Sequence, residues 1–286
     1  MILMALAESE ILAQHLDDPD WVVFDCRHDL ADPGRGNADY LKSHIPGARF
    51  AHLDDDLSGP RNGKNGRHPL PDPSALARMF GRAGVDSGKQ VIAYDSQGSL
   101  FAARLWWLLR WLGHLPVAVL DGGWSQWTSE GRPQTAGVPA PRATQFSGQP
   151  DDSRVDAQQV LAGLGAPGSL LIDARAPDRF RGENETLDPV GGRIPGARNR
   201  YFRDNLDAEG RFKSPQQLAT ELTAALGDAR PGQSIHYCGS GVSAAHNLLA
   251  MEIAGLHGAR LYAGSWSEWC ADPARPIATG EPRAGE

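Results

Sequence analysis

The residues best placed to do chemistry are a cysteine and two glycines close to it. Cys238 follows a short apolar run, 234–237, and Gly239 and Gly241 lie in the tight loop after it. Glycine accepts the positive φ values of a tight loop, and we expect both glycines to adopt them. Such a loop turns backbone N–H groups inward at the start of a helix, where they stabilise an anion. The pattern therefore predicts a nucleophilic cysteine held as a thiolate.

A buried and inert cysteine is the alternative, because free cysteine is often a core residue. The flanking glycines and the position between a strand and a helix favour the reactive residue instead. A helical pattern follows over 244–254, with Gly255 placed to end the helix.

Length, charge and cysteine content limit the class of protein. The chain has 286 residues, a net charge of −7 and three cysteines. This length favours two domains, and the negative charge disfavours nucleic acid or an anionic membrane as a partner. No run of 18 apolar residues is present, and the N-terminal segment lacks the basic region of a signal peptide. An odd number of cysteines is not a disulfide framework, so we expect a cytoplasmic protein. We also expect a monomer.

The chain is a duplicated unit. Four pairs of segments match in the same order: 22–27 with 170–175, 44–49 with 193–198, 91–95 with 234–238, and 120–127 with 262–269. Four matches in one order indicate two copies of one domain. We predict a first domain over 1–130, a linker rich in Pro, Gly, Thr and Gln over 131–154, and a second domain over 155–286.

Short apolar runs alternate with helical patterns in both halves. The predicted strands are 21–25, 91–94, 117–120 and 169–172, and the predicted helices are 9–16, 74–83, 101–112, 155–164 and 244–254. This alternation predicts an α/β fold of two tandem domains, each a mostly parallel sheet flanked by helices. The tryptophan pairs at 124/127 and 266/269 are expected in the core or in packing between the domains. The residues past Pro276 are expected to form a loose tail.

Three residues near the predicted strands are expected to be structural. Arg27 and Arg175 should pair with nearby carboxylates or backbone carbonyls. His44 should belong to a turn ahead of Pro46.

Only the second half carries the candidate nucleophile. The loop after Tyr94 begins with Asp95, where the loop after Tyr237 begins with Cys238. A carboxylate is expected to fit poorly among inward N–H groups suited to a thiolate. The first domain is therefore predicted to be catalytically inactive.

Together these features resemble the two-domain rhodanese family of sulfurtransferases. The resemblance covers about residues 8–280 and rests on the doubled unit, the His-Ile-Pro-Gly-Ala turn, the Asp-Gly-Gly-Trp and Ala-Gly-Ser-Trp-Ser-Glu-Trp segments, and the aspartate in place of the first cysteine. The loop Cys-Gly-Ser-Gly-Val at 238–242 is similar to that of the 3-mercaptopyruvate branch, which continues with Thr where this chain has Ser243. The thiosulfate-preferring branch instead has an Arg-Lys pair after its cysteine.

The resemblance implies sulfur transfer. The Cys238 thiolate would take sulfane sulfur from 3-mercaptopyruvate, or from thiosulfate, as a persulfide. It would then pass this sulfur to a thiophilic acceptor such as cyanide, a dithiol or thioredoxin. No metal and no organic cofactor is implied. The loop residues that would surround the donor are Gly239, Gly241, Val242 and Ser243.

The resemblance also implies roles in proton transfer. Ser240 matches the serine next to the reacting sulfur. Asp54 and His68, in the loop of the first half, match positions that assist this serine, and histidine is suited to relaying a proton near neutral pH.

Arg179 matches the arginine that binds the anionic end of the donor, a role that suits a bidentate guanidinium. The mercaptopyruvate branch commonly has a second arginine nine residues later, where this chain has Asp188. Arg181 and Arg193 are the candidates to replace it, and Arg181 is taken as a substrate-binding residue.

Two rival functions remain, and a third, a tyrosine phosphatase, is disfavoured. One is thiosulfate:cyanide sulfur transfer, and another is a non-catalytic rhodanese-like binding module. A tyrosine phosphatase needs an arginine to close its loop around phosphate, and Ala244 occupies that position. His236 and Cys238 lack companions at metal-ligand spacing, so a zinc site is not predicted.

Overall fold

A computed structural model describes residues 2–166 and 168–281 of the chain. They divide into two compact units. Unit 1 comprises Met1–Gly59, Pro71–Asp151 and Ala208–Phe212, and unit 2 comprises Pro60–Leu70, Asp152–Asp207 and Lys213–Glu286. A short segment from the first half of the sequence, 60–70, therefore packs within unit 2.

Unit 1 is a parallel sheet with helices between its strands. Its strands are β1 (Leu6–Ala7), β2 (Trp21–Asp25), β3 (Arg49–Phe50), β4 (Gln90–Tyr94) and β5 (Val117–Leu120). Its helices are α1 (Ser9–Gln14), α2 (Arg35–Lys42), α3 (Pro73–Arg82), α4 (Ala102–Trp111) and α5 (Gly123–Ser129). The strand order is β1-β5-β4-β2-β3 and each described pairing is parallel.

Unit 2 repeats this arrangement. Its strands are β6 (Arg154–Val155), β7 (Leu170–Asp173), β8 (Arg198–Asn199), β9 (Ser234–Tyr237) and β10 (Arg260–Tyr262), in the order β6-β10-β9-β7-β8. Its α-helices are α6 (Ala157–Ala162), α7 (Pro177–Arg181), α8 (Pro215–Leu226), α9 (Ser243–Ile253) and α10 (Ser265–Trp269), with 3-10 turns at Phe202–Asn205 and Pro231–Gln233. The predicted fold class of two parallel-sheet α/β units is confirmed, and β9 is the central strand that delivers Cys238.

The core is built by the central strands and the helix that follows each of them. All five residues of β4 and all four of β9 are buried, as apolar strands covered on both faces should be. Trp127, Trp266 and Trp269 are fully buried, as expected, while Trp124 is half-buried.

The matched arginines take equivalent positions in the two units. Arg27 donates to Asp25 (Nη2 to Oδ2, 2.6 Å) and stacks on Trp124, and Arg175 donates to Asp173 at the same distance. Because both pairs are buried, they satisfy charged groups that would otherwise be costly inside the fold. His44 Nδ1 donates to the Tyr40 carbonyl (2.7 Å) and the side chain is buried, so its structural role is also confirmed.

Two predictions about local structure are wrong. Val155 belongs to strand β6 and helix α6 begins only at Ala157, because Asp156 caps the helix through a capping box with Gln159. The expected loose tail past Pro276 is also wrong, because the residues up to Gly280 are held by hydrogen bonds. Ala278 bridges to Arg193, and the Gly280 N–H donates to the Arg181 carbonyl (2.9 Å). Residues 282–286 lie outside the described part of the chain.

Candidate active site

Cys238 lies at the carboxyl end of β9, in the loop that leads into α9. Its side chain is buried, at 2% exposure. The Sγ atom accepts the N–H groups of Gly241 (3.1 Å) and Ser240 (3.4 Å). The helix that follows spans 11 residues, so its positive end also faces the loop. Backbone donors and the start of a helix therefore both favour negative charge on this sulfur.

The two glycines of the loop are needed for different reasons. Gly241 has φ +78°, and a Cβ on it would lie 2.4 Å from the Ala263 carbonyl oxygen. Gly239 does not have a positive φ, which corrects the sequence-based expectation. A Cβ on Gly239 would instead lie 2.7 Å from Arg67 Nη2 and 3.6 Å from both terminal nitrogens of Arg179. A side chain at position 239 would therefore require the end of the Arg67 side chain to shift, whereas the contacts with Arg179 are of ordinary length.

A turn at 263–267 forms hydrogen bonds with the backbone of the catalytic loop. The Cys238 N–H donates to Ser265 Oγ (3.1 Å), and the Trp266 N–H donates to the Cys238 carbonyl (2.9 Å). The Ser267 N–H donates to the Gly239 carbonyl (3.0 Å). Ser265 has φ +56°, which is strained for a residue with a Cβ. Sequence reasoning missed Ser265, although its place in the repeat matches Gly123, which has φ +54°.

Ser240 and His68 meet in unit 2. Ser240 Oγ and His68 Nδ1 lie 2.7 Å apart and both side chains are buried. The sequence separates them by 172 residues, and segment 60–70 brings them together. Asp54, in contrast, belongs to unit 1, where its N–H donates to His52 Nδ1 (3.2 Å). The assistance of Asp54 to Ser240 stays a prediction.

Arg179 lies beside the loop with two carboxylates as partners. It donates to Glu185 from Nε (3.1 Å) and Nη2 (2.8 Å), and its Nη2 is 3.5 Å from Asp188 Oδ2. Burial alone would raise the pKa of Glu185, but the Leu187 N–H and Arg179 together lower it. Glu185 is therefore the ionised partner of Arg179.

Asp188 has a second cationic partner that sequence reasoning missed. Arg67 Nη1 donates to Asp188 Oδ1, and both belong to unit 2. Burial raises the pKa of Asp188, although Arg67 and Arg179 act in the opposite direction. The only sequence signal for Arg67 was its place directly before His68 in the loop of the first half.

The other two candidate arginines have partners elsewhere. Arg181 pairs with Glu183 (2.7 Å) and with Glu281 (3.4 Å). Arg193 donates to the Gly280 carbonyl (2.6 Å) and stacks on Phe180. These contacts tie down the segment near the C-terminus, and they do not support the prediction that Arg181 binds the donor or that Arg193 replaces the missing arginine.

The matching loop in unit 1 encloses its own side chain. Asp95 accepts the N–H groups of Gln97 (2.7 Å), Ser99 (3.0 Å), Phe101 (2.7 Å) and Ala102 (2.9 Å). The expectation that a carboxylate fits poorly there is wrong, because the loop closes around it. Burial raises the pKa of Asp95, and the four N–H donors act against this rise. The N–H groups that could hold a substrate anion are thus occupied by the protein itself.

In the part of the chain that the structure describes, no three His, Cys, Asp or Glu side chains cluster as metal ligands do. In the same part, no helix is long and apolar enough to cross a bilayer.

Comparison with known proteins identifies the family. The rhodanese-like domain matches the chain twice, over residues 8–130 and 156–272. The chain belongs to the rhodanese family. The two matched regions follow the duplication seen in the sequence and in the two sheets.

Rhodanese-family relatives match over nearly the whole chain. A probable 3-mercaptopyruvate sulfurtransferase of Pseudomonas aeruginosa is 50% identical over 279 residues, which cover 96% of this chain and 98% of the relative. A putative thiosulfate sulfurtransferase, SseB, of Mycobacterium tuberculosis is 38% identical and the match covers 90% of each chain. The crystal structure of the 3-mercaptopyruvate sulfotransferase SseA of Escherichia coli is 30% identical with a TM-score of 0.80, covering 92% of this chain and 99% of that one. This rhodanese-family chain is therefore a sulfurtransferase.

Proposed function

We propose that the chain moves sulfane sulfur from 3-mercaptopyruvate to a thiophilic acceptor through a persulfide on Cys238. The observation that carries the proposal is the position of Cys238 Sγ, which accepts two backbone N–H groups in a loop that also places Ser240 against His68. The similarity to proteins named as 3-mercaptopyruvate sulfurtransferases supports the choice of donor.

The first half-reaction is a nucleophilic attack on sulfur. The Cys238 thiolate attacks the donor's sulfur, an S–S bond forms, and the C–S bond breaks. The electron pair of the C–S bond goes to the methylene carbon, which takes up a proton to give pyruvate. The donor's own thiol proton balances this uptake, because the persulfide is left as an anion among the N–H groups. Ser240 and His68 carry that proton from sulfur to carbon.

The second half-reaction returns the enzyme to its starting state. A nucleophilic acceptor attacks the outer sulfur, the S–S bond breaks, and the Cys238 thiolate is released. Cyanide leaves as thiocyanate. A dithiol such as thioredoxin releases the sulfur as sulfide and is itself oxidised to a disulfide. We propose a small thiophile or thioredoxin as the acceptor, a monomeric enzyme and a cytoplasmic location.

The charges beside the loop favour a donor with one carboxylate. Arg67 and Arg179 both lie against Gly239, so cations do stand beside a loop that has none of its own. Each is paired with a carboxylate, Asp188 or Glu185, and the four formal charges cancel. Thiosulfate carries two negative charges, and four groups whose charges cancel do not attract it strongly. 3-Mercaptopyruvate has one carboxylate, which needs to bind only one of the two guanidinium groups. The two guanidinium groups are nevertheless the observation that favours thiosulfate as the second candidate donor.

Steady-state kinetics with both donors, using cyanide as the acceptor, tests the proposal. We expect a higher kcat/KM for 3-mercaptopyruvate than for thiosulfate. A preference for thiosulfate would overturn the choice of donor and leave sulfur transfer intact.

The other two cysteines provide matched controls. Cys238→Ser should abolish turnover with either donor, because a serine hydroxyl does not form the persulfide. Burial raises the pKa of Cys26 well above its ordinary value and that of Cys270 to about 11. Cys26→Ser and Cys270→Ser should therefore keep turnover close to that of the native enzyme. Loss of turnover in either control, or its survival in Cys238→Ser, would contradict the assignment.

A further inference from the structure

The mercaptopyruvate branch has a second arginine at the position of Asp188. In this chain a cationic side chain from another segment lies beside that position. Asp188 stands there in sequence, and its carboxylate receives Arg67 Nη1. The other terminal nitrogen of Arg67, Nη2, is the atom closest to the site of a Cβ on Gly239, at 2.7 Å. Arg67 thus brings a guanidinium to the residue that follows the nucleophile.

We propose that Arg67 is the second anion-binding cation of the donor site, and that Asp188 holds it in position until the donor's carboxylate arrives. The guanidinium groups of Arg67 and Arg179 both lie within 4 Å of the position that a Cβ on Gly239 would take. The identity of the donor rests on the proposed function, whereas the presence of an anion receptor beside Cys238 does not.

The backbone of Arg67 is fixed to the same turn that holds the catalytic loop. Its N–H donates to Ser267 Oγ (3.0 Å), and the Ser267 N–H donates to the Gly239 carbonyl (3.0 Å). Gly66, with φ +84°, packs so closely that a Cβ on it would lie 2.7 Å from the Gly264 carbonyl oxygen. Segment 60–70 is therefore positioned directly against the loop, and the Arg67 side chain needs no large movement to reach a ligand there.

Both arginine side chains are partly exposed, whereas their carboxylate partners are not. The side chain of Arg67 is 26% exposed and that of Arg179 is 19% exposed, while Asp188 and Glu185 are nearly buried at 3% and 4%. The carboxylates thus hold the guanidinium groups from the protein side. A planar guanidinium has five N–H donors, so each can keep its internal carboxylate and still donate to a second one.

The glycine at 239 leaves room for the guanidinium group of Arg67. Its backbone conformation does not require glycine, but a Cβ there would lie 2.7 Å from Arg67 Nη2, so the end of the Arg67 side chain would have to shift.

A pair of alkylating reagents tests the anion receptor without relying on turnover. Iodoacetate and iodoacetamide both alkylate Cys238, have nearly the same shape and differ in the charge of one group. The ratio of their rate constants measures how strongly the surroundings of Sγ attract a carboxylate. Arg67→Ala should lower this ratio by roughly 10-fold, the scale expected for a unit charge acting from a few ångströms in a partly exposed site.

Matched variants separate a local charge effect from a structural one. Lys64→Ala removes the same charge from an exposed position in the same segment and should leave the ratio unchanged. Arg67→Ala combined with Asp188→Ala removes the nearly buried carboxylate together with its partner, so its ratio should lie between those of Arg67→Ala and the Asp188 variant. Asp188→Asn keeps Arg67 and removes its counter-charge, so the ratio should rise. Equal changes with both reagents in Arg67→Ala, or an equal fall of the ratio in Lys64→Ala, would overturn the inference.

The same variants connect the receptor to the donor. Arg67→Ala should raise KM for 3-mercaptopyruvate by about 10-fold or more, and Lys64→Ala should not. If the reagent ratio falls as expected but the native enzyme does not use 3-mercaptopyruvate, the receptor stands and the proposed donor fails. If the native enzyme uses 3-mercaptopyruvate with an unchanged KM and reagent ratio in Arg67→Ala, the receptor fails and the proposed function stands.

Discussion

Adding one methyl group to the catalytic loop should separate backbone strain from loss of function. Gly241 has φ +78°, and a Cβ there would lie 2.4 Å from the Ala263 carbonyl oxygen. Helix α9 offers a matched control at its other end. Gly255 has φ +73° and nothing lies within 4 Å of a Cβ on it. Gly241→Ala and Gly255→Ala therefore impose the same backbone strain, and only the first adds a clash.

The magnitudes follow from these two environments. Alanine in the left-handed region costs about 1–2 kcal/mol, and this should be the whole loss of stability in Gly255→Ala. The carbonyl contact in Gly241→Ala must open by about 1 Å to reach an ordinary separation, which adds about 1–3 kcal/mol. Because the Gly241 N–H donates to Cys238 Sγ at 3.1 Å, this shift moves a donor away from the reacting sulfur. A displacement of about 1 Å typically costs about 10²-fold in rate.

Urea unfolding and steady-state turnover measure the two effects separately. Gly255→Ala should lose stability and keep kcat near the native value. Gly241→Ala should lose more stability and about 10²-fold in kcat. Native kcat in Gly241→Ala, with no greater loss of stability than in Gly255→Ala, would refute the role of the Gly241 N–H.

Three further variants test other parts of the structure. Asp95→Ala should destabilise unit 1 by about 3 kcal/mol or more, because four buried N–H groups lose their acceptor, and Asp95→Asn should cost less in the same denaturation assay. Burial lowers the pKa of His236 to about 3, so below about pH 6.5 the unfolded chain binds a proton that the folded chain refuses. The free energy of unfolding should therefore fall by about 2 kcal/mol from pH 7 to pH 5, and this part of the pH dependence should be absent in His236→Leu. The same pH dependence in both proteins would contradict the assignment to His236. Arg179→Ala should raise KM for 3-mercaptopyruvate by roughly 30-fold or more, and an unchanged KM would remove Arg179 from the donor site.

Much of the fold could be predicted because its signals are local. Short apolar runs mark the buried strands, and the repeat fixes where the second unit begins its sheet. The end of α9 at Gly255 could also be predicted. The Leu256 N–H donates to the Met251 carbonyl (2.8 Å) around Gly255, which has a positive φ, as the predicted cap requires. Helix α8 also carried readable signals, a capping box at Ser214 and a proline at its first position, but no helix was predicted there.

The parts of the site that escaped prediction depend on distant pairings. Arg67 and Asp188 are 121 residues apart, and no spacing rule says that their side chains meet. The hydrogen bond of Ser240 to His68 could be anticipated only through the resemblance to a family. The enclosure of Asp95 depends on the path of a whole loop, which residue types alone do not determine. Gly239 was assigned to a positive φ because glycine usually serves that purpose, whereas its φ is not positive and its nearest side-chain neighbour is a guanidinium from another part of the chain.

The central claim is that Cys238 carries the sulfur in transit, and the mass of the intact protein tests it most directly. After incubation with 3-mercaptopyruvate and removal of the donor, the native protein should gain about 32 Da, the mass of one sulfur atom. Peptide mapping should place this sulfur on Cys238, and cyanide should remove it with formation of thiocyanate. No gain in mass, or a gain that persists in Cys238→Ser or after cyanide, would contradict the persulfide mechanism.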